Sequence, residues 1–232
     1  MNICVIPARG GSKRIPRKNI KEFNGKPIIA YSIEAALNSK CFSKVIVSTD
    51  DNEIAEVAKK YGANVPYIRP EELSNDDAGT IPVIKHAIKF MEEENSIENV
   101  CCLYATAPFI LPHVISESYQ QLISSKSDYC FSVTSFASPI QRAIKVVQGN
   151  KVKMFFPENF DKRSQDLKEA YHDAAQFYWG RAQAFKEGLP LFSEIAIPYV
   201  LPRYLVQDID TMEDWVRAEA MFEVLQKTKV LK

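Results

Sequence analysis

The sequence predicts an α/β fold, a doubly wound and mostly parallel sheet with helices on both faces. Short β-rich runs alternate with segments of helical spacing from the N-terminus to about Thr134, the rhythm of βαβ units. The chain is 232 residues long, which fits a single domain, 1–232, carrying one elaboration better than it fits two domains. Hydrophobic residues are 46% and charged residues 25%, values that exclude a disordered, collagenous or membrane-embedded chain.

Taken in order, NICVI near the N-terminus reads as a strand. After a loop, Pro27 suits a first helical turn, and Ile28, Ile29, Ser32, Ile33, Ala36 and Leu37 recur at helical spacing. Lys44 to Thr49 reads as a buried strand. Asp50 or Asp51 then caps a helix through Ile54, Val57 and Ala58, which Gly62 stops. A helix opens at Thr80, strands are expected at Asn99–Tyr104 and Tyr129–Thr134, and a helix at Pro112–Ser124 lies between them. Beyond Thr134 the rhythm breaks. Ala143 to Val147 and Val152 to Phe155 flank Gly149-Asn150, a hairpin signal, and a polar stretch follows. Residues 135–195 are expected to form an inserted subdomain containing this hairpin, a loop and a short strand at Gln176–Trp179. The core is expected to resume with strands at Ile195–Val200 and Leu205–Ile209 and a last helix over Thr211–Gln226.

Charge and cysteine content narrow the function. Lys plus Arg and Asp plus Glu each number 29, so a general nucleic-acid or anionic-membrane binder is not expected. The five cysteines form no C-x-x-C pair and sit mostly in apolar runs, as buried reduced thiols of a cytoplasmic protein do. The first apolar stretch is too short for a signal peptide, and the longest apolar region, Val100 to Ile115, is interrupted by Thr106, Pro108, Pro112 and His113, so no membrane span is expected.

The neutral total conceals a basic run. Arg9, Lys13, Arg14, Arg17, Lys18 and Lys21 precede the first acidic residue, Glu22. The run follows a strand directly and begins with Arg9-Gly10-Gly11-Ser12, where a Gly-Gly turn can present backbone N–H groups to an anion beside Lys and Arg side chains. The ordinary alternative is a solvated basic loop. Neither G-x-x-x-x-G-K-[ST] nor G-x-G-x-x-G is present, which disfavours a P-loop kinase and an NAD-binding protein.

Pro7-Ala8-Arg9-Gly10-Gly11-Ser12-Lys13 with Lys18-Asn19, then Val47 to Asp51, Arg69 to Leu73, Asp76 to Thr80 and Asp208-Ile209-Asp210 occur in a characteristic order. In these blocks the chain resembles the CMP-sugar synthetases that activate nine-carbon ulosonic acids. The resemblance implies a Rossmann-like nucleotidyltransferase fold and transfer of CMP from CTP to a sugar's anomeric hydroxyl, with release of pyrophosphate. Ala8, Arg9, Gly10, Gly11 and Ser12 would cradle the phosphates, while Arg9, Lys13 and Lys18 would act as the catalytic cations that offset charge on the α-phosphate and the leaving pyrophosphate. Asn19 would contact the nucleotide near its ribose, and Arg69, Ala78 and Thr80 would read cytosine. A surface Arg before a Pro-initiated turn is the alternative for Arg69.

Asp208 and Asp210 would bind Mg²⁺, with Mn²⁺ a possible substitute; without the resemblance, a bare D-x-D would be read as turn or cap carboxylates. In resembling enzymes the insertion crosses a two-fold axis and closes the partner's site, so a C2 homodimer is expected.

The chain departs from the sialate pattern at Tyr104-Ala105-Thr106-Ala107-Pro108 and at Ala174-Ala175, where the family contacts sugar. The string Tyr171 to Gly180 is similar to that of the pseudaminate-activating branch. That sugar's two acylamino groups and deoxy terminus call for amide-binding polar groups beside apolar surface. The sugar residues are accordingly expected among Tyr104, Thr106, His172, Asp173, Gln176 and Tyr178, with Arg163 on the sugar carboxylate. Trp179 is read instead as core. Activation of N-acetylneuraminate or legionaminate remains a rival reading, and a non-catalytic CTP-binding regulator is a rival of a different class.

Overall fold

A computed structural model describes residues 1–75 and 78–231. Strand β1 (Asn2–Pro7) leads through the basic loop to a miniature hairpin, β2 (Glu22–Phe23) and β3 (Lys26–Pro27), and then to α1 (Ile28–Ser39), β4 (Lys44–Ser48) and α2 (Asn52–Lys60). The chain continues with α3 (Thr80–Glu92), β5 (Asn99–Leu103), α4 (Pro112–Ser125) and β6 (Tyr129–Ser135). A hairpin of β7 (Ile144–Val147) and β8 (Lys151–Met154) comes next. Strand β9 (Tyr171–Arg181), α5 (Ala182–Glu187), β10 (Ala196–Val200) and α6 (Met212–Lys227) complete the order.

Six strands form the central sheet in the order β10-β6-β9-β5-β1-β4. Strand β1 runs parallel to β4 and β5, β6 runs parallel to β10, and β9 runs antiparallel between β5 and β6. Both faces are covered. On one, Cys4, Ile6, Cys101, Leu103, Cys130 and Trp179 pack with apolar residues of α1, α2, α4 and α6; on the other, Ile3, Val5, Cys102, Tyr129 and Tyr178 meet α3 and α5. This two-sided burial explains why β1 and β5 read as unbroken apolar runs. Asp51 caps α2 by accepting from the Ile54 N–H, and Thr211 and Asp214 form a capping box on α6.

Two expectations need correction. Leu205–Ile209 is not a strand: a 3-10 turn at Arg203–Leu205 leads into irregular chain up to α6. Its apolar anchors, Leu205 and Ile209, reach the core, but the segment joins no sheet. Side chains rather than a strand ladder satisfy their carbonyls, the Gln176 amide at Leu205 and the Lys18 ammonium at Ile209. The segment 135–195 also divides. Gln176–Trp179 lies within the eleven-residue β9, a central strand of the core, so the departure from the sheet is confined to residues 136–170. A register shift opposite Phe131/Val133 and a left-handed Ala175 (φ 50°) kink β9 and interrupt its sequence pattern.

Candidate active site

The connection from β1 through α1 leads outward to β4, whereas the chain after β4 crosses back through α3 to β5 on the other side of β1. A doubly wound sheet opens a crevice where the winding reverses, at the carboxyl ends of its strands. The loops following β1 and β5 meet there and enclose a cleft of about 290 Å³.

The β1 loop is held from several directions. The Ala8 N–H donates to the Ser48 carbonyl (2.9 Å), the Gly10 N–H to Asp50 Oδ1 (2.9 Å), and the Asn19 side-chain amide to the Arg9 carbonyl (2.9 Å). A Cβ at Gly10 would lie 2.7 Å from Asp51 Oδ2, so only glycine permits this approach. Arg9 Nη1 reaches the Asn75 carbonyl at 2.9 Å. Lys18 Nζ donates to the Ile209 carbonyl (2.7 Å) and lies 3.4 Å from Asp210 Oδ1, while Arg14 Nη2 is 2.9 Å from Asp210 Oδ2. The amino-terminal loop and the chain before α6 are thereby joined across the cleft mouth.

Most residues expected to bind nucleotide converge here. Arg9, Ser12, Lys13, Lys18 and Asn19 line it from the β1 loop, together with Arg69, Ala78 and Thr80, with Tyr104 and Thr106 from the end of β5, and with Asp210 beside Arg14 and Lys18. Arg69 is 4% exposed. Its N–H donates to Thr49 at the end of β4, Nε donates to Ser74 Oγ (3.1 Å), and Nη2 is 3.8 Å from Asp50, so it is no surface arginine. Burial lowers its pKa, and the Asp50 charge opposes that shift.

The backbone cradle differs from expectation. Ala8, Gly10 and Gly11 do not line the cleft. The Ala8 and Gly10 N–H groups already serve the protein, and the Ser12 N–H bonds the Gly10 carbonyl at 3.0 Å. The lining includes Arg14, whose pairing with Asp210 sequence reasoning missed although Arg14 stands in the basic run.

A second cavity, of about 230 Å³, shares Thr80 and Tyr104 with the first and adds Asp173, Tyr178, Ile81, Cys102, Phe185, Leu191 and Phe192. Asp173 accepts from the Tyr178 hydroxyl and from the Ala175 N–H (2.9 Å), and Thr80 Oγ1 lies 3.3 Å from the Tyr104 hydroxyl. Burial, reinforced by the Tyr104 and Asp173 side chains, pushes the Tyr178 phenol up, so it stays a hydrogen-bond donor. No motif marked the apolar wall, which comes from residues that look like ordinary core.

Three expected sugar residues stand outside both cavities. Gln176 is 3% exposed and spends its amide on Leu205. His172 is exposed, its ring against Phe136, and Arg163 lies in the excursion 136–170. Among the described residues no cluster of three or more metal-ligating side chains occurs. The Asp208 carboxylate has no hydrogen bond or ion pair among the described residues, and partial burial followed by the neighbouring Asp210 charge raises its pKa. A cation would relieve both effects, so the donor set suits a divalent ion completed by waters and substrate oxygens rather than a protein cage. Of the block Asp76–Thr80, Asp76 and Asp77 lie outside the described residues.

A reversing, mostly parallel sheet whose crevice is lined by lysines and arginines, the buried Arg69 among them, defines an α/β protein of the nucleotidyltransferase type. The structure is similar to that of CMP:2-keto-3-deoxy-manno-octonic acid synthetase complexed with CTP, with a TM-score of 0.68 at 18% identity over 96% of this chain and 98% of the other. The chain belongs to the cytidylyltransferase family, whose model matches residues 3–221. It is 48% identical to a pseudaminic acid cytidylyltransferase of Campylobacter jejuni over 96% of this chain and 97% of the relative. It is also 37% identical to a CMP-N,N'-diacetyllegionaminic acid synthase of Legionella pneumophila, covering 98% and 99%.

Proposed function

We propose that the chain transfers CMP from CTP to the anomeric hydroxyl of pseudaminic acid, giving CMP-pseudaminic acid and pyrophosphate. The observation that carries this reading is the junction of the two cavities at Thr80 and Tyr104. It places a cation-lined cleft suited to a triphosphate against a chamber with one carboxylate, phenols and apolar walls, which suits an acylamino sugar. Identity to the Campylobacter jejuni relative favours pseudaminate over legionaminate, 48% against 37%.

In the reaction the anomeric oxygen bonds to the α-phosphorus, the bond from that phosphorus to the bridging oxygen breaks, and the hydroxyl proton passes to solvent. Arg9, Lys13 and Lys18 offset the charge that builds on the departing pyrophosphate, and Arg69 faces the cytosine. Asp208 and Asp210 would hold Mg²⁺, or Mn²⁺ in its place, which supplies positive charge to the phosphates when bound. A need for CTP favours a cytoplasmic location. Among the described residues no helix is long and apolar enough to cross a membrane.

Incubation with CTP, Mg²⁺ and each of pseudaminate, legionaminate and N-acetylneuraminate tests the assignment. Pyrophosphate release is expected with pseudaminate at a kcat/KM at least about tenfold above the others, a margin that about 1.4 kcal/mol of differential contact provides. Preference for another sugar would overturn the substrate assignment, and CTP binding without turnover would favour a regulator.

The excursion 136–170 supports a homodimer. Hairpin β7–β8 leaves Val146 69% and Val152 65% exposed, and Phe160 beyond it is 68% exposed, an apolar ribbon that a two-fold partner would cover. Arg163 on this excursion would then serve the partner's cleft. Inactive Arg163→Ala and Lys18→Ala proteins should therefore complement when mixed. Half the dimers become mixed and one of their two sites is complete, so activity should recover to about a quarter of wild type. No recovery after subunit exchange would argue against a shared site.

A further inference from the structure

Arg17 stands next to Lys18 but faces the other way. It does not line the cleft. Its guanidinium instead meets the start of α2: Nη1 is 2.5 Å from Asp51 Oδ2, Nη2 is 2.9 Å from Asp51 Oδ1, and Nη2 is 2.5 Å from Glu53. Asp51 is itself fixed, since Oδ1 caps α2 at the Ile54 N–H (2.9 Å). Arg17 also has left-handed backbone, φ 55° and ψ 29°, a conformation that costs an L-residue about 1 kcal/mol and persists only where surroundings enforce it. That backbone starts the 3-10 turn Lys18–Ile20, with the Ile20 and Lys21 N–H groups both returning to the Arg17 carbonyl at 3.0 Å.

We propose that Arg17 is a positioning residue for CMP transfer: its bidentate grip on Asp51 holds the turn that aims Lys18 into the cleft. Two neighbouring cations then have opposite duties. Arg17 gives its charge to the protein, and Lys18 keeps its ammonium at the cleft lining, 3.4 Å from Asp210. The planar guanidinium suits the first task because it fits a carboxylate with two parallel donors, whereas an ammonium makes a point contact. The strength of the grip also shows in Asp51, which the Arg17 hydrogen bonds hold at a pKa of about 2, well below the carboxylate range. Asp51 approaches the other end of the same loop as well, packing where a Cβ of Gly10 would stand. The loop is therefore held at both ends, by the Gly10 N–H on Asp50 and by Arg17 on Asp51, before any nucleotide arrives, and the ordering cost of binding is reduced.

This inference rests on Lys18 being a phosphate ligand, and a double-mutant cycle tests it. Arg17→Asn removes the guanidinium while tolerating left-handed backbone. Asp51→Asn removes the charge while keeping a good helix cap. Either change should weaken CTP binding, measured calorimetrically with Mg²⁺ and no sugar, by about tenfold in the wild-type background. In a Lys18→Ala background the same change should weaken it by less than about twofold, because the group being positioned is already gone. A merely structural role would give equal losses in both backgrounds, and that result, or no loss in wild type, would overturn the proposal. If Arg17→Asn fails to fold, Asp51→Asn runs the same cycle. The measurement is separate from the sugar assignment. Wild-type protein that binds CTP but does not turn over pseudaminate would sink the substrate while the cycle still decides the role of Arg17, and wild-type protein that does not bind CTP would sink both.

Discussion

Replacing Lys18 with alanine should lower kcat by at least about 100-fold, the scale seen when one preorganised charge-stabilising donor is removed. The side chain is 19% exposed, and its two contacts, the Ile209 carbonyl and Asp210, lie across the cleft mouth. An ammonium held this way needs no reorganisation when negative charge moves onto the leaving group. Its loss removes charge stabilisation and also leaves Asp210 to Arg14 alone. Lys18→Arg should not restore the rate, because a planar fork cannot occupy the position of a compact ammonium. Single-turnover assays at saturating CTP separate this loss of rate from weakened binding. A rate within about threefold of wild type would show that Lys18 is only a structural tie.

Trp179→Ala should cost about 3–5 kcal/mol of stability, read from urea unfolding by circular dichroism. Trp179 is fully buried in β9, between β5 and β6, stacked on Phe42 at 4.9 Å and tilted against Tyr119 at 4.9 Å. Its indole N–H donates to the Ile115 carbonyl of α4 (3.1 Å). Truncation opens a cavity in the layer that joins both halves of the sheet and removes the indole donor, leaving the Ile115 carbonyl to the Ser118 hydroxyl (3.1 Å). A loss below about 1 kcal/mol would mean that the site collapses around the smaller side chain.

The fold was legible wherever burial imposed a simple period. Strands β1, β4, β5 and β6 and helices α1, α2, α3, α4 and α6 fall where apolar spacing and caps place them. The central role of β9 was hidden because Asp173-Ala-Ala-Gln interrupts its apolar pattern, and the Asp173 and Ala175 positions serve the second cavity and the kink. Leu205–Ile209 imitates a strand because its two core anchors are spaced to share one strand face, with the β-branched Val206 between them. In the site, the motif blocks located Arg9, Lys13, Lys18, Asn19 and Arg69 on one cleft. They did not show which N–H groups the protein keeps for itself, since that depends on Asp50, forty positions along the chain from Gly10. The apolar wall of Ile81, Phe185, Leu191 and Phe192 carries no signature, because facing a chamber and facing core demand the same residue types.

The placement of β9 bears on how the protein is made. On a ribosome β1, β4 and β5 emerge first as one parallel set, then β6, and only β9 can join them, its residues 171–181 arriving after the whole excursion 136–170 has been synthesised. Until then the edges of β5 and β6 are unpaired and can recruit foreign strands. Hairpin β7–β8, with Val146 and Val152 exposed, emerges during this same interval. Nascent chains stalled between the end of β6 and the start of β9 should be the most dependent on chaperones, and completion of β9 is the step that makes release safe.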